Sequence, residues 1–466
     1  MTSTIEFRIG VVISAAVALL VAMLSTPSST LAVGNTIAVP DLGGWFGTES
    51  SLALDANGNP VVSYYTNSLH LGVLHCGNPT CTAGNTITTP DTTTNSGYRS
   101  SLAIDASGNP AVAYDGPTFR LLRCGDPACS AGSTIITLDS LAVAYASLEL
   151  DTSDNPVISY RSSAGLKVLH CGNPLCTAGN SVALFSGIVG PTSLELDAAG
   201  NPVVAYFWDL SIYGGIRLLH CGDPNCSAGN TTTLITSLGS SPSLVLDAAG
   251  NPVVSYSVFA YPQYFVGLIR CSDPACASAN STVTLDNFAD GGSSVALDAL
   301  GNPVVSYMDF EGVAVVHCSD PDCSVGGTFS MPDMMDNGFA FTSLKLDAAG
   351  NPIAGYHDYI TKELKILHCG DPSCKSVENP FPTDTPTPTA TDTPGPTATP
   401  TVTNTPTSTP TGTPTPRPVG GISLDTASGS GGGGDGWLLT IGLASVGVIA
   451  AAGALSLIAM RREASA

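Results

Sequence analysis

Hydrophobic and polar residues alternate in a segment that recurs along the chain. Its clearest copy is SLVLDAAGNPVVSY, Ser243 to Tyr256, where an alternating Ser-Leu-x-Leu stretch precedes an Asp-x-x-Gly-Asn turn and a β-branched Pro-Val-Val-Ser-Tyr stretch. Alternation and β-branched content predict two strands. The Asp side chain bonds nearby backbone N–H groups and the Gly adopts a positive φ, so the residues between the strands suit a tight turn. The segment therefore predicts a β-hairpin.

This hairpin occurs seven times, with a step of 46 to 51 residues between copies. The copies begin at Ser51, Ser101, Ser147, Ser193, Ser243, Ser294 and Ser343. In the third copy Asp154 stands where the others have Gly. Because Asp enters the left-handed region less readily than Gly, we expect slight strain in that turn.

Each copy is followed by a second hairpin, in which a hydrophobic strand enters a Cys-x4-Cys turn and another strand leaves it. Four strands in a repeat of this length, joined by short connections, are typical of one propeller blade. Each blade needs neighbours to cover its apolar faces, and a closed ring supplies them. We therefore predict an all-β fold, a seven-bladed β-propeller.

The two ends of the repeat array indicate how the ring closes. VGNTIAVPD, Val33 to Asp41, matches the fourth-strand segment AGNTITTPD of the first copy, whereas the last copy is followed by KSVENPFP. Two prolines make that last segment a poor ladder strand. We therefore predict that the N-terminal strand closes blade 7.

The rest of the chain predicts an exported protein with a membrane anchor. Residues 1–32 resemble a signal peptide, and residues 33–378 form the propeller. Residues 379–436 are a Thr/Pro- and Gly-rich stalk in which no packed core can form. The uncharged apolar run 437–460 has the length of a transmembrane helix, and two arginines open the cytoplasmic tail 461–466. The predicted location is the cell membrane, single-pass type I, with the propeller extracellular; an uncleaved signal anchor is the alternative.

The net charge of the chain limits the classes of molecule that it is expected to bind. The formal net charge is −22, yet only 11% of residues are charged, so the predicted surface is rich in neutral polar side chains and carboxylates. A nucleic-acid binder needs a basic face, which this composition excludes. The expected partners are an unknown glycan or extracellular protein, and the membrane through the C-terminal helix.

The 14 cysteines form seven Cys-x4-Cys pairs, which predict disulfides in an exported chain. A metal site is the alternative, because His or Arg precedes each first Cys, but two thiolates alone do not complete a tetrahedral site. Asp-x-x-Gly-Asn also lacks the dense oxygen ligands of a calcium loop. We expect no metal and no cofactor. The predicted pairs are Cys76 with Cys81, Cys124 with Cys129, Cys171 with Cys176, Cys221 with Cys226, Cys271 with Cys276, Cys318 with Cys323, and Cys369 with Cys374.

Loop lengths distinguish the two faces of the predicted ring. The Asp turns and the Cys turns keep constant lengths and share one face, which we call the turn face. The loops from strand two to three and from strand four to the next blade vary, and they share the opposite face, which we call the variable face. Binding residues usually lie on variable loops of a rigid scaffold. The candidate ligand-binding residues there are Tyr65, Asp115, Phe207, Trp208, Asp209, Tyr213, Tyr261, Tyr264, Asp309, Phe310, His357, Asp358 and Tyr359; packing between blades is the alternative role.

Over residues 51 to 374 the repeat SLxLDxxGNPVVSY resembles bacterial surface β-propellers of the sialidase-like, Asp-box-related superfamily. This resemblance implies the propeller fold. The Asp-box Trp position holds Val or a similar residue here, and of the arginines that a sialidase uses for its substrate carboxylate only Arg99 and Arg161 fall on the variable face. The resemblance therefore does not extend to sialidase chemistry.

Three functions fit the sequence. A non-catalytic binding or adhesion module for glycan or protein ligands is favoured, because no catalytic motif with a stated mechanism is present. An extracellular polysaccharide hydrolase or lyase is the first alternative, with Asp209, Asp309 and Asp358 as acid–base candidates. A structural surface-coat protein is the second alternative.

Overall fold

The computed structural model describes residues 34–42, 50–140, 144–187, 189–208, 214–260, 263–278, 280–287, 291–335, 341–358 and 360–375. The predicted signal peptide, stalk, transmembrane helix and tail lie outside these residues. None of the described residues belongs to a helix of membrane-spanning length and hydropathy.

In this part of the chain, 28 strands form seven four-stranded antiparallel sheets. Blades 1 to 4 contain β2 (Ser51–Leu54), β3 (Pro60–Tyr65), β4 (Leu71–His75), β5 (Thr86–Asp91); β6 (Tyr98–Ile104), β7 (Pro110–Asp115), β8 (Phe119–Arg123), β9 (Thr134–Asp139); β10 (Ala144–Leu150), β11 (Pro156–Ser162), β12 (Gly165–His170), β13 (Ser181–Ser186); β14 (Val189–Leu196), β15 (Pro202–Trp208), β16 (Gly215–His220) and β17 (Thr231–Thr236). Blades 5 to 7 contain β18 (Ser240–Leu246), β19 (Pro252–Ala260), β20 (Gln263–Arg270), β21 (Ser281–Asp286); β22 (Ser294–Leu297), β23 (Pro303–Asp309), β24 (Gly312–Cys318), β25 (Gly327–Met334); β26 (Thr342–Leu346), β27 (Pro352–His357), β28 (Leu364–His368) and β1 (Thr36–Asp41).

The N-terminal strand closes the ring, as predicted. β1 pairs antiparallel with β28, so blade 7 has the order β1-β28-β27-β26. Asn35 adds a polar clasp: its side-chain amide donates to the Cys374 carbonyl at 2.9 Å, and its side-chain oxygen accepts from the Gly370 N–H at 3.1 Å. The first and last described segments of the ring are thus held in one sheet, and the seven-bladed propeller is confirmed.

A ring of serines joins the innermost strands of all seven blades. The first Ser of each repeat accepts a hydrogen bond from a backbone N–H on the innermost strand of the next blade, at 2.9–3.1 Å. The series closes on itself, since Ser343 of blade 7 accepts from Leu52 of blade 1. Adjacent innermost strands do not form a continuous ladder, so these bonds satisfy N–H groups that would otherwise be orphaned around the axis.

The hydrophobic core lies between blades. In one cluster, Ala113 and Leu121 of blade 2 pack against Leu148, Ile158 and Tyr160 of blade 3, and the other clusters repeat this arrangement. The repeat tyrosines are buried in these interfaces. Four of them donate to an Asp at the end of the preceding blade's outermost strand: Tyr64 to Asp41, Tyr114 to Asp91, Tyr307 to Asp286, and Tyr356 to Asp333, at 2.6–2.8 Å.

On the turn face, each repeat Asp organises both hairpins of its blade. The Asp55 carboxylate accepts from the backbone N–H groups of Asn57 and Asn59 and lies 3.0 Å from His75 Nε2, on the strand that leads into the Cys turn. Five blades have this His–Asp contact, and Arg123 and Arg270 replace the His in the other two. The residue before each first Cys therefore fastens one hairpin to the other.

The cysteine prediction is also confirmed, and Asp154 adopts the positive φ that its turn requires. All seven pairs form disulfides, with Cα–Cα separations of 4.7–5.0 Å. Asp154 has φ of 60°, where the corresponding Gly250 has 80°. The Asp154 carboxylate accepts from the Ala106 N–H of blade 2 at 3.0 Å, a bond that a glycine cannot make.

We predict that Ser243→Ala lowers the free energy of unfolding by about 1–2 kcal/mol, because the Val295 N–H loses its acceptor in a partly buried interface. Chemical denaturation measures this. Ser107→Ala, at an exposed position of an Asp turn, is the matched control and should leave stability within about 0.5 kcal/mol. Equal effects of the two substitutions would show that the serine ring does not stabilise the fold.

Candidate functional site

The structure describes eight of the predicted site residues with their side chains. These are Tyr65, Asp115, Phe207, Trp208, Asp309, Phe310, His357 and Asp358, all at or just beyond the ends of second strands. Asp209, Tyr213, Tyr261 and Tyr359 lie outside the described residues, and for Tyr264 only the backbone is described. The antiparallel order of each blade places these strand ends on the variable face.

Two of these residues lie where blades 1 and 2 meet. Tyr65 is buried, packs edge-to-face on Tyr98 with ring centroids 5.8 Å apart, and donates from its hydroxyl to Asn95 at 3.2 Å. Asp115 is buried at the end of β7, where its backbone pairs with Tyr98. Both side chains are more enclosed than a ligand contact on an open loop would be.

Phe207 and Trp208 pack against glycines of blade 4 and its neighbour. Trp208 lies over Gly187 and stacks with the Arg217 guanidinium, whose Cζ is 4.2 Å from the ring centroid. Phe207 fills the space beside Gly190 and Gly214. Both rings are half-buried, so only part of their surface faces solvent.

His357 and Asp358 differ in whether their side-chain polar atoms have hydrogen-bond partners. His357 is 2% exposed, and neither ring nitrogen has a hydrogen-bond partner among the described residues. Burial lowers the pKa of His357 to about 4, so the ring is neutral at pH 7. Burial tends to raise the pKa of Asp358, but bonds from Lys365 and two backbone N–H groups outweigh it and lower that pKa. The Lys365 ammonium is 2.9 Å from the Asp358 carboxylate, which makes Asp358 part of the blade's own ion-pair network.

Asp309 and Phe310 line an open groove between blades 5 and 6. The groove has a volume of about 540 Å³ and is lined by Leu285, Asp286, Asp309, Phe310, Glu311, Phe329 and Met331. Phe310 is 40% exposed and Phe329 is 48% exposed, so both present ring surface to solvent. A groove with exposed aromatic rings and several hydrogen-bond acceptors is a typical site for a small or extended polar ligand.

The two aspartates of this groove differ electrostatically. Asp286 accepts a hydrogen bond from the Tyr307 hydroxyl at 2.8 Å. Asp309 is 8% exposed, and burial together with the negative charge of Asp286 raises its pKa. Two neighbouring carboxyl groups with unequal proton affinity are an arrangement that acid–base chemistry uses.

The sequence reasoning missed a second group of charges, inside the central channel. Glu149, Glu195 and Lys345 occupy the third position of Ser-Leu-x-Leu, where the other blades have Ala or Val. Glu149 and Lys345 line a cavity of about 450 Å³ near the turn face, and Glu195 lines the narrower channel beside it. A charged residue where the other repeats have Ala or Val is the sequence signal that could have identified these three residues.

Burial raises the pKa of both channel glutamates. Burial raises the pKa of Glu149; burial and the charge of Glu149 raise the pKa of Glu195 to about 8, and Lys345 only partly offsets this. At pH 7 the pair therefore holds a proton. Among the described residues, no three His, Cys, Asp or Glu side chains converge as metal ligands.

We predict that Glu195→Gln raises the melting temperature at pH 8 by about 2 °C and has little effect at pH 4. A group whose folded-state pKa is raised contributes stability below its unfolded pKa and loses it as pH rises toward 8. Thermal unfolding across pH 4–9 measures this. Glu311→Gln is the control, because that side chain is exposed on the variable face. A parallel shift of both variants at every pH would contradict the prediction.

No protein-family model and no curated protein matches the chain. Among solved structures, the chain is similar to a protein of unknown function from Dyadobacter fermentans (12% identity, 59% of this chain and 94% of that chain covered, TM-score 0.44). It is also similar to an ulvan lyase described as a new family of polysaccharide lyase (11%, 72% and 94%, TM-score 0.49) and to another polysaccharide lyase (10%, 69% and 89%, TM-score 0.43). At such identities the reactions of these proteins do not transfer to this chain, and membership of the sialidase-like superfamily stays a prediction.

Proposed function

We propose that the protein is a cell-surface propeller that binds a glycan in the groove between blades 5 and 6. The observation that carries the proposal is the pair of exposed rings, Phe310 and Phe329, beside the carboxylates of Asp309 and Glu311. Aromatic faces pack on the C–H surface of a sugar ring, and carboxylates accept hydrogen bonds from its hydroxyl groups. A smooth-sided coat protein would have no need for such a groove.

The remainder of the chain supports display outside the cell. An export signal in residues 1–32, seven disulfides in the ring, a Thr/Pro stalk and the apolar run 437–460 fit a type I surface protein.

A polysaccharide hydrolase or lyase is the second candidate, and Asp309 is the observation that favours it. Its raised pKa suits a general acid, and Asp286 beside it supplies a second carboxyl group in the same groove. Hydrogen bonding between Asp286 and Tyr307 also serves the blade interface, so binding remains the first proposal.

We predict that Phe310→Ala weakens glycan binding by about fivefold, because it removes a stacking surface whose contribution is on the order of 1 kcal/mol. The measurement is a glycan-array screen with the full chain in detergent, followed by calorimetric titration of the ligand found. Leu300→Ala, at an 80% exposed apolar residue of an Asp turn, is the matched control and should bind normally. An array without any bound glycan would overturn the proposal.

We predict that the wild-type protein releases no new reducing or unsaturated ends from a glycan that it binds. Product analysis after long incubation at pH 5 and pH 7 measures this. If the protein releases such ends, and Asp309→Asn abolishes the release but not the binding, the protein is a polysaccharide hydrolase or lyase and not a binding module. Release that survives Asp309→Asn would instead indicate a contaminating activity or another site.

A further inference from the structure

Arg99 lies between two tyrosine rings at the centre of the variable face. Its Cζ is 4.4 Å from the centroid of Tyr98 and 3.9 Å from that of Tyr145. Tyr98 and Arg99 belong to β6 of blade 2, whereas Tyr145 belongs to β10 of blade 3. The guanidinium group therefore bridges two blades by stacking.

The position of this stack follows from the serine ring. Arg99 precedes Ser101 by two residues, and Tyr145 precedes Ser147 by two, so both lie one step above the ring on the side of the variable face. Since β6 and β10 are the innermost strands of their blades, the stack stands at the mouth of the central channel.

Irregular backbone geometry sets the direction of the Arg99 and Tyr145 side chains. Both strands have a register shift at this point, between Tyr98 and Ser101 and between Ala144 and Ser147. Arg99 has φ of 47° and Tyr145 has φ of 65°, a region that bulky residues rarely occupy. Bulges of this kind redirect a side chain from the sheet. Blade 5 has the same bulge, with Ser241 at a φ of 49°, so the bulge is a feature of the repeat and the residue type at this position decides what it presents.

The guanidinium group has unused donors. Among the described residues, Arg99 makes no hydrogen bond and no ion pair, whereas Arg120 binds Asp91, Arg123 binds Asp105 and Arg270 binds Asp247. The cation–π contacts with the two rings engage the positive charge of the guanidinium group and use none of its N–H donors. These donors match a planar carboxylate or a sulfate in a bidentate pair.

We propose that Arg99, Tyr98 and Tyr145 bind a carboxylate or sulfate group of an acidic glycan at the channel mouth; this rests on the proposed function and names its ligand class. The guanidinium N–H groups bind the anionic group, and the tyrosine rings flank the sugar that carries it. The net charge of −22 repels densely charged polymers, so the ligand that fits carries isolated acidic groups on a mostly neutral chain.

The first test compares glycans that differ only in sparse charge: a methyl-esterified polygalacturonan with a few free carboxylates against the fully esterified polymer, and lightly sulfated dextran against dextran. The full chain should bind at least one charged member about tenfold more tightly than its neutral partner. Arg99→Gln should abolish this preference, so that the charged polymer binds no more tightly than its neutral partner. Arg99→Lys should retain only part of the preference, because an ammonium lacks the planar fork. Lys375→Gln makes the same change in net charge at a distant exposed position and should keep the preference.

The second test uses small probes, so that it does not depend on polymer binding. Glucuronate, galactose 6-sulfate and the neutral sugars glucose and galactose are titrated into the wild type and Arg99→Gln, with the melting temperature as the check of folding. If either anionic sugar binds the wild type and Arg99→Gln abolishes that binding, the site is supported, even if no polymer binds and the proposed function is wrong. Comparison of glucuronate with galactose 6-sulfate shows whether the site prefers a carboxylate or a sulfate. No anionic binding, or binding unchanged by Arg99→Gln, overturns the inference.

Discussion

One hydrogen bond, repeated seven times, is the constraint on which the structure depends. The serine that opens each repeat accepts from the backbone N–H of the next blade, and Ser343 completes the circle with Leu52. Innermost strands around an axis lack a ladder partner on their inner side, and an unpaired buried N–H is costly. The serine hydroxyl supplies an acceptor for each of these N–H groups, so the blades do not need to form one continuous barrel.

Closure of the ring divides the molecule into two chemically different faces. On the turn face every blade uses the same solution, with a repeat Asp held by backbone N–H groups and by His or Arg, and with a disulfide across the second hairpin. The variable face has no such requirement, because its loops only reconnect strands that are already paired. Its residues were free to differ from blade to blade, which is where Arg99, Asp309 and Phe310 are found.

The candidate sites were predictable to different degrees. Asp309 and Phe310 follow from loop position and residue type, and the groove that they line contains both. Trp208 also combines a loop position with an aromatic side chain. It nevertheless lies over Gly187 and stacks on Arg217, and the spacing of residues in the chain does not indicate these contacts. Glu149, Glu195 and Lys345 are visible only as departures from a repeated Ala or Val, and their shared environment arises because blades 3, 4 and 7 meet at one axis.

By itself, the sequence determined the blade, the number of blades, the cysteine pairing and the strand that shuts the ring, because all of these depend on local alternation, turn chemistry and a period that can be counted. Only the tertiary structure decided which polar groups are satisfied and which remain available. In five blades the repeat Asp contacts a His, four repeat tyrosines donate to an Asp of the preceding blade, and Arg99 contacts two rings. These outcomes depend on contacts between blades, which local pattern does not encode.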